Sequence, residues 1–304
     1  MNNDLIMRCL GTVVALTLAG APLCAHAEVG RLGTDVIETS PNGEINWTGG
    51  WAKAIGTGYG PNNAPASLSR TLGERAGYAL ALRNLLEVIK GVRVDSESLV
   101  QGHMKDNEVV KAKVSGLIRG AHIVRSGAGR DGGIEVQVKA PLWGIDSGAF
   151  LSTFRKSGFD IPSDAPTLAV DTPVLVDARG LGMTPALFPK IVNEQGYEIY
   201  SASKVDPTML DQTGPAQYLS LSRDIDLESY YFPRAYVVRP VRLADETVPL
   251  NGPMSMTMRA TDAVGTMRST LVIGSKDVRK LQHDDMAMSA FRRGKVIIVM
   301  DPLR

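Results

Sequence analysis

The stretch from Pro65 to Gly91 constrains the fold of this chain more than any other part of the sequence. Its apolar residues recur at steps of three or four, and the charged residues lie mostly elsewhere on the helix. This period predicts one long amphipathic helix that begins at a first-turn proline and ends at a glycine. The predicted apolar stripe consists of Leu68, Leu72, Ala76, Ala79, Leu82, Leu86 and Ile89.

Strand signals surround this helix. Residues 45–55 are rich in aromatic and β-branched side chains, so we expect a strand there. Residues 92–100 alternate as in a strand, residues 106–118 carry a shorter apolar stripe, and residues 122–125 and 134–138 flank a glycine-rich turn. This order predicts β-α-β-α-β-β over residues 44–144. We therefore expect an α+β fold with helices packed on one face of a small mixed or antiparallel sheet.

The remainder of the chain predicts a second β-rich α+β domain. Residues 145–166 form the predicted linker, because prolines and small polar residues cluster near its end. In residues 167–304 we expect strands near 168–176, a hairpin over 190–200, and further strands at 235–243 and 254–258. A helix capped by Ser275 follows and extends to Phe291. A buried strand at residues 296–299 lies close to the carboxyl terminus.

The first 27 residues have the order of a signal peptide. A polar segment ends at Arg8, an apolar run follows, and Ala25-His26-Ala27 provides the small residues that a signal peptidase recognises. The competing interpretation is a membrane anchor, but the apolar run is shorter than the roughly 20 residues that a spanning helix needs. We expect cleavage after Ala27, with residues 28–43 as an amino-terminal extension. The expected location is the periplasm or the outer-membrane periphery.

Cleavage changes the chemistry that remains available. Both cysteines, Cys9 and Cys24, lie in the leader, so the mature chain has no disulfide, thiol nucleophile or thiolate metal site. Its 277 residues can bury roughly 70–75% of their unfolded surface without covalent cross-links. The whole chain carries 33 basic and 32 acidic residues, a balance that gives no reason to propose nucleic acid as a partner.

Three glycines form the first candidate site. Gly56, Gly58 and Gly60 follow a predicted strand and precede the long helix, which is the position of a phosphate-binding turn. Pro61 stands where the dinucleotide fingerprint requires glycine, and it removes a backbone amide. We therefore favour a turn in which the glycines allow a close backbone approach.

A second candidate lies in a predicted turn of the second block. Asp177 and Arg179 flank it, and a guanidinium provides a rigid set of donors for a carboxylate or phosphate. The two side chains can equally pair with each other and fix the turn, which is the interpretation we favour. Together with the three glycines they form a candidate interaction or anion site.

Catalytic signals are weaker. Ser201 and Lys204 have the spacing of a serine–lysine dyad, but the surrounding residues predict a hairpin strand and no Lys-Thr-Gly follows. The histidines outside the leader do not have zinc-protease spacing. We expect no catalytic residue, no cofactor and no metal.

Residues 44–144 resemble a known family. The resemblance is carried by residues 56–61, 79–89 and 114–121, followed by residues 134–138. Their order resembles the FlgP outer-membrane lipoproteins and is similar to the amino-terminal domain of the flagellar assembly protein FlgT. It implies an envelope protein, in some members a ring component around the flagellar motor, and transfers no catalytic residue. Leu23 stands before Cys24 where a lipoprotein needs a small residue, which argues against direct lipid anchoring.

Two functional hypotheses remain. The first is a non-catalytic envelope protein that helps to assemble a flagellar or related surface apparatus. Its expected partners are envelope or flagellar basal-body proteins, with self-association and peripheral membrane contact as further expectations. The second is a periplasmic ligand-binding or hydrolytic protein with a site between the two blocks, near Arg179 and the turn at residues 56–60.

Overall fold

A computed structural model describes residues 33–147, 150–154, 173–227, 236–238, 240–243 and 267–303. The predicted signal peptide and the predicted strand at residues 254–258 lie outside these ranges. The described elements form three sheets with helices packed against them, so the predicted α+β class is confirmed.

The first block contains an antiparallel five-stranded sheet. Its strands are β1 (Ile37–Ser40), β2 (Gly43–Asn46), β3 (Trp51–Gly58), β4 (His122–Ala128) and β5 (Ile134–Pro141), arranged in the order β1-β2-β3-β5-β4. The prediction of one strand over residues 45–55 is wrong, because a turn at residues 47–50 reverses the chain between β2 and β3. Gly50 occupies a positive φ of 65° in that turn. The predicted hairpin between β4 and β5 is confirmed.

Three helices accompany this sheet, namely α1 (Ala66–Lys90), α2 (Val100–Asp106) and α3 (Glu108–Arg119). α1 and α3 confirm the two predicted helices, and the Asn107 side chain caps α3 by accepting from the amides of Val109 and Val110. The predicted strand at residues 92–100 is wrong. Asp95 accepts hydrogen bonds from Glu97 and Ser98 and folds this segment into a turn, after which α2 begins.

The face that α1 turns to the sheet is not the predicted one. Its buried residues are Gly73, Gly77, Ala81, Leu85, Val88 and Ile89. From the predicted stripe, only Ile89 is fully buried, while Leu82 and Leu86 pack partly against the core. Leu68, Leu72, Ala76 and Ala79 are exposed. The cause is the small side chains of Gly73, Gly77 and Ala81, which let the helix backbone approach β3 closely.

The second block continues with β6 (Val174–Asp177), β7 (Lys190–Asn193), β8 (Glu198–Tyr200), α4 (Pro207–Thr213), β9 (Gln217–Ser220), β10 (Tyr236–Val238), β11 (Pro240–Leu243), β12 (Thr270–Ile273), α5 (Ser275–Gln282), α6 (Asp285–Arg292) and β13 (Val296–Met300). One sheet has the order β10-β6-β13-β9 and is parallel throughout. A mixed sheet has the order β11-β12-β7-β8.

Several predictions in this block are refined by the structure. The hairpin over residues 190–200 and the buried strand at residues 296–299 are confirmed. The single strand expected at residues 235–243 is wrong, because β10 and β11 belong to different sheets. The single helix expected from Ser275 to Phe291 is wrong, because α5 ends at Gln282 and α6 begins at Asp285. The predicted cap is also wrong, since Ser275 is the first residue of α5 and Gly274 is its N-cap.

The two blocks share one hydrophobic core. Trp47 is fully buried and packs edge-on against Tyr218, with ring centroids 5.9 Å apart. The backbone carbonyl of Arg93 accepts from the Leu187 amide at 2.8 Å. Thr34 and Ser220 exchange two backbone hydrogen bonds, of 2.9 and 3.0 Å, across the boundary. Contacts of this kind hold the first block against the second.

Candidate functional site

Gly56, Gly58 and Gly60 lie directly beneath α1. A Cβ atom at Gly56 would overlap backbone atoms of Gly77 and Ala81, and one at Gly58 would overlap the backbone of α1 as well. The same holds at Gly60, next to the Ser69 carbonyl. The helix backbone therefore occupies the space in which a phosphate would have to approach these glycines. Their arrangement supports close packing between strand and helix.

Asp177 and Arg179 pair with each other at the carboxyl end of β6. Arg179 donates from Nε to Asp177 Oδ1 at 2.7 Å and from Nη2 to Oδ2 at 2.9 Å. Its Nη1 donates to the carbonyls of Ser222 and Ile225, at 2.7 and 2.8 Å. The guanidinium thus ties the loop after β6 to the loop after β9. Hydrogen bonding to Asp177 raises the pKa of Arg179 above its ordinary value.

A second ion pair joins the loop after β9 to the end of β13. Arg223 donates from Nε and Nη2 to the two carboxylate oxygens of Asp301, each at 2.8 Å. Asp301 also accepts from the Gly180 amide at 2.8 Å. The hydrogen bonds from Arg223, helped by that amide, hold the pKa of Asp301 below its ordinary value of 3.8. The loops after β6, β9 and β13 are consequently cross-linked at one edge of the parallel sheet.

An open cleft lies at this edge and has a volume of about 570 Å³. It is lined by Thr34, Ser220, Leu221, Ser222, Arg223, Ile225, Asp301 and Pro302. Crevices outside the carboxyl ends of parallel strands are the usual location of ligand sites in open sheets of this kind. The cleft combines apolar walls with a few polar groups, as small-molecule sites do.

The two groups of predicted site residues are not brought together. Gly56, Gly58 and Gly60 pack against α1, whereas Asp177 and Arg179 pack against residues 222–225 and lie near Asp301. Neither of the two clefts lined by described residues, at Thr34–Pro302 and at Thr39–Ile55, contains members of both groups.

Sequence reasoning missed Ser220, Arg223 and Asp301. One available signal was the aspartate that follows an uninterrupted apolar run, as Asp301 follows β13 and as Asp177 ends β6. Such runs are typical of strands in parallel sheets, whose carboxyl ends gather at one edge. The strand order that makes these positions neighbours was not visible in the pattern.

The outward side of α1 carries an apolar stripe, called here the α1 outer face. Leu68, Leu72 and Leu80 are 48%, 37% and 39% exposed, and the face also contains Ala76 and Ala79. These positions fall within about a third of the helix circumference. A continuous apolar stripe directed at solvent is typical of interaction surfaces.

The strand β4 provides a second exposed apolar feature. It is at one edge of the five-stranded sheet and pairs with β5 alone among the described strands. Ile123 and Val124 are 47% and 45% exposed, and a β-bulge between Ile123 and Arg125 shifts the register with β5. The free edge retains backbone donors and acceptors with which another strand can pair.

These observations define an α+β protein with an exposed apolar stripe on its long helix and a largely apolar cleft at the edge of a parallel sheet. Residues 173–302 are similar to a family described as the second domain of Treponema pallidum Tp0624. The match spans most of the second block and leaves the first block, residues 44–144, outside it. No curated protein sequence matches the chain. Among the described helices, none is long and apolar enough to cross a membrane.

Proposed function

We propose that this chain is an exported, non-catalytic protein of the bacterial envelope that helps to assemble a flagellar or related surface apparatus. The leader at residues 1–27 and the FlgP-like order of residues 44–144 support the location and the apparatus. The observation that carries the assembly role is the α1 outer face. Its leucines form a stripe that a partner protein, or another copy of this chain, would cover.

The energetics suit association through this face. Full burial of a leucine contributes about 1.5–3 kcal/mol, and the exposed fraction of Leu68, Leu72 and Leu80 is somewhat under one half. When a partner covers these three side chains, each of them stabilises the complex by about 1 kcal/mol. The free edge of β4 offers backbone hydrogen bonds in addition, which would fix the orientation of a partner strand.

The polar candidate residues are consistent with a non-catalytic role. Arg179 directs its donors to Asp177 and to two loop carbonyls, and Ser201 donates to Glu198 at 2.6 Å while accepting from the Ser203 amide. These side chains stabilise turns. Their hydrogen bonds therefore have a structural explanation.

A charge introduced into the α1 outer face tests the proposal. In the mature protein, Leu72→Glu places a carboxylate in the contact, where burial without a partner costs several kcal/mol. We expect the dissociation constant for self-association or for captured envelope partners to rise at least about 100-fold. Sedimentation velocity and cross-linked pull-down from envelopes measure the two cases.

Thr71→Glu is the matched control, because Thr71 is exposed on the same helix but lies off the stripe. It should associate like the wild type. Equal association by Leu72→Glu would remove the α1 outer face from the proposal. Deletion of the gene gives the physiological test, since normal flagella, motility and envelope integrity together would contradict the assembly role.

A further inference from the structure

One face of the five-stranded sheet carries a row of basic side chains. In β3, Gly56 and Gly58 lie against the backbone of α1, so Lys53 points to the opposite face, called here the open face. Lys139 of β5 pairs directly with Lys53, and His122 of β4 pairs directly with Lys139. Directly paired residues of antiparallel strands share a face. The row therefore runs across the open face from β3 to the edge strand β4.

Arg125 adds a fourth basic side chain beside this row. After the β-bulge in β4, Arg125 pairs with Gln137 of β5. The next residue, Ser126, donates its hydroxyl proton to Glu74 of α1 at 2.6 Å, so Ser126 points to the helix side of the sheet. Because consecutive strand residues point to opposite faces, Arg125 points to the open face. Two of the four basic side chains therefore belong to the edge strand.

The fold supplies little negative charge to this face. Glu44 pairs with Lys53 at 2.8 Å. Glu135 also points to the open face, but it is four residues from Lys139 along β5 and accepts from Gln137 at 3.0 Å. Among the described residues, no carboxylate forms an ion pair with the other three basic side chains. Directly paired like charges destabilise a sheet, so the pairing of Lys53 with Lys139 needs an explanation.

Two structural explanations account for only part of the row. The centre of the Trp51 ring lies 4.4 Å from Lys139 Nζ and 5.7 Å from Lys53 Nζ, and the ring attracts both ammonium groups without supplying a net negative charge. Charged side chains on an edge strand discourage pairing with other sheets, which explains His122 and Arg125. The two lysines lie on β3 and β5, however, and each of these strands has a neighbour on both sides. A negatively charged partner explains all four basic residues.

The edge of β4 indicates which kind of anion fits. β4 pairs with β5 alone among the described strands, and six of its seven residues are exposed. Its free backbone N–H and C=O groups form a ladder that an extended polypeptide completes, whereas a lipid headgroup or a free phosphate has no matching ladder. A second copy of β4 would bring another His122 and Arg125 to the same edge, so repulsion between like charges opposes self-pairing. The edge and the row together fit an acidic strand from a different protein.

We propose that β4 receives an extended acidic strand of a partner protein, which joins the five-stranded sheet at this edge. Every second side chain of the added strand then lies on the open face, where carboxylates are complementary to His122 and Arg125. The intervening side chains lie on the α1 side, next to Ile123, Ser126 and Ala128, where small or apolar residues fit. This inference rests on the proposed assembly role, because it gives the chemistry of the strand that pairs with β4.

Peptides of seven residues, the length of β4, test the inference on the mature protein. The acidic probe alternates glutamate with valine, and the basic probe alternates lysine with valine. Fluorescence anisotropy should show binding of the acidic probe, at least about 10-fold weaker binding of the basic probe, and loss of affinity as salt is added. N-methylation of the central amides of the acidic probe should abolish binding, because it removes the donors that pair with β4.

Arg125→Gln and Lys139→Gln each remove one cation from the open face. Exposed ion pairs are individually weak, so each substitution should weaken binding of the acidic probe about 3-fold, and the double variant about 10-fold. Lys139→Arg keeps the charge and should retain the affinity. Lys280→Gln is the matched control, because it removes one exposed cation from α5 in the second block. It should bind the acidic probe like the wild type.

Three outcomes would each overturn the inference: equal affinity for the acidic and basic probes, undiminished binding of the N-methylated probe, or wild-type affinity in the double variant. Binding to phosphatidylglycerol vesicles in place of the acidic probe, through the same side chains, would also overturn it.

Leu72→Glu separates this inference from the assembly role of the α1 outer face. The variant should bind the acidic probe like the wild type, because α1 lies on the other side of the sheet. If Leu72→Glu loses its envelope partners and the wild type does not bind the acidic probe, only the inference about β4 is refuted. If the acidic probe binds and Leu72→Glu associates like the wild type, only the role of the α1 outer face is refuted.

Discussion

Replacement of Gly77 by alanine tests the close approach between α1 and the first sheet. In the interior of a helix, alanine is favoured over glycine by about 1 kcal/mol, so the substitution taken alone should stabilise α1. In the folded protein, however, the new Cβ would lie 2.8 Å from the Ile134 carbonyl oxygen, 3.0 Å from Val136 Cγ2 and 3.1 Å from the Gly56 carbonyl oxygen. Ordinary contacts of a Cβ atom are 3.4–4 Å, so the helix must move away from β3 and β5.

The magnitude follows from these two opposing effects. Overpacking of this kind costs about 1–3 kcal/mol, and the atoms met here are mostly backbone, which cannot move aside independently. Subtracting the helix gain of about 1 kcal/mol leaves a net loss of up to about 2 kcal/mol in the free energy of unfolding. Urea unfolding followed by circular dichroism at 222 nm resolves a change of this size.

Gly116→Ala in α3 is the matched control. It makes the same change in a helix interior, but nothing lies within 4 Å of its Cβ position. We expect a gain of about 1 kcal/mol there. If Gly77→Ala and Gly116→Ala stabilise the protein equally, the packing of α1 on β3 described above is refuted.

Two further predictions concern buried and paired polar groups. Tyr218 donates its hydroxyl proton to the Ala186 carbonyl at 2.8 Å and accepts from the Ala186 amide at 3.0 Å. Tyr218→Phe should therefore lower the free energy of unfolding by about 2–4 kcal/mol, measured by urea unfolding. A decrease below about 0.5 kcal/mol would contradict this role. Hydrogen bonds from Arg223 lower the pKa of Asp301, so its contribution to stability is fully present above the ordinary value of 3.8 and is lost as the pH falls through the folded value. Asp301→Asn should therefore lower the free energy of unfolding at neutral pH, and the variant should lose less of it than the wild type as the pH falls below about 4. If the free energies of unfolding of the wild type and the variant change in parallel with pH, this contribution is excluded.

The limits of sequence interpretation are clearest in α1. Periodicity located the helix, because leucines and alanines at steps of three or four stand out from charged neighbours. It selected the wrong face, because glycine carries almost no hydrophobic signal although Gly73 and Gly77 lie in close contact with the sheet. The contact depends on matched glycines in β3 and α1, which are distant in sequence and meet only after folding.

The cleft shows a different limit. Apolar runs that end in a polar residue indicated the strands that became β6 and β13. Their lateral order depends on parallel pairing between residues that are more than 100 positions apart. Local patterns carry no information about that order, so the meeting of Arg223 with Asp301 was not predictable. The pairing of Asp177 with Arg179 was predictable, because it is local.

The central position of β13 has a consequence for how the second block reaches its folded state. β13 is the last described strand along the chain, yet it lies between β6 and β9. β6 leaves the ribosome long before β13 has been made. The parallel sheet therefore cannot form strand by strand during synthesis. Until β13 is available, β6 and β9 each have an unpaired edge, and these edges can pair with the wrong strands. Removal of residues from β13 would take away the backbone hydrogen bonds that join β6 to β9 through this strand.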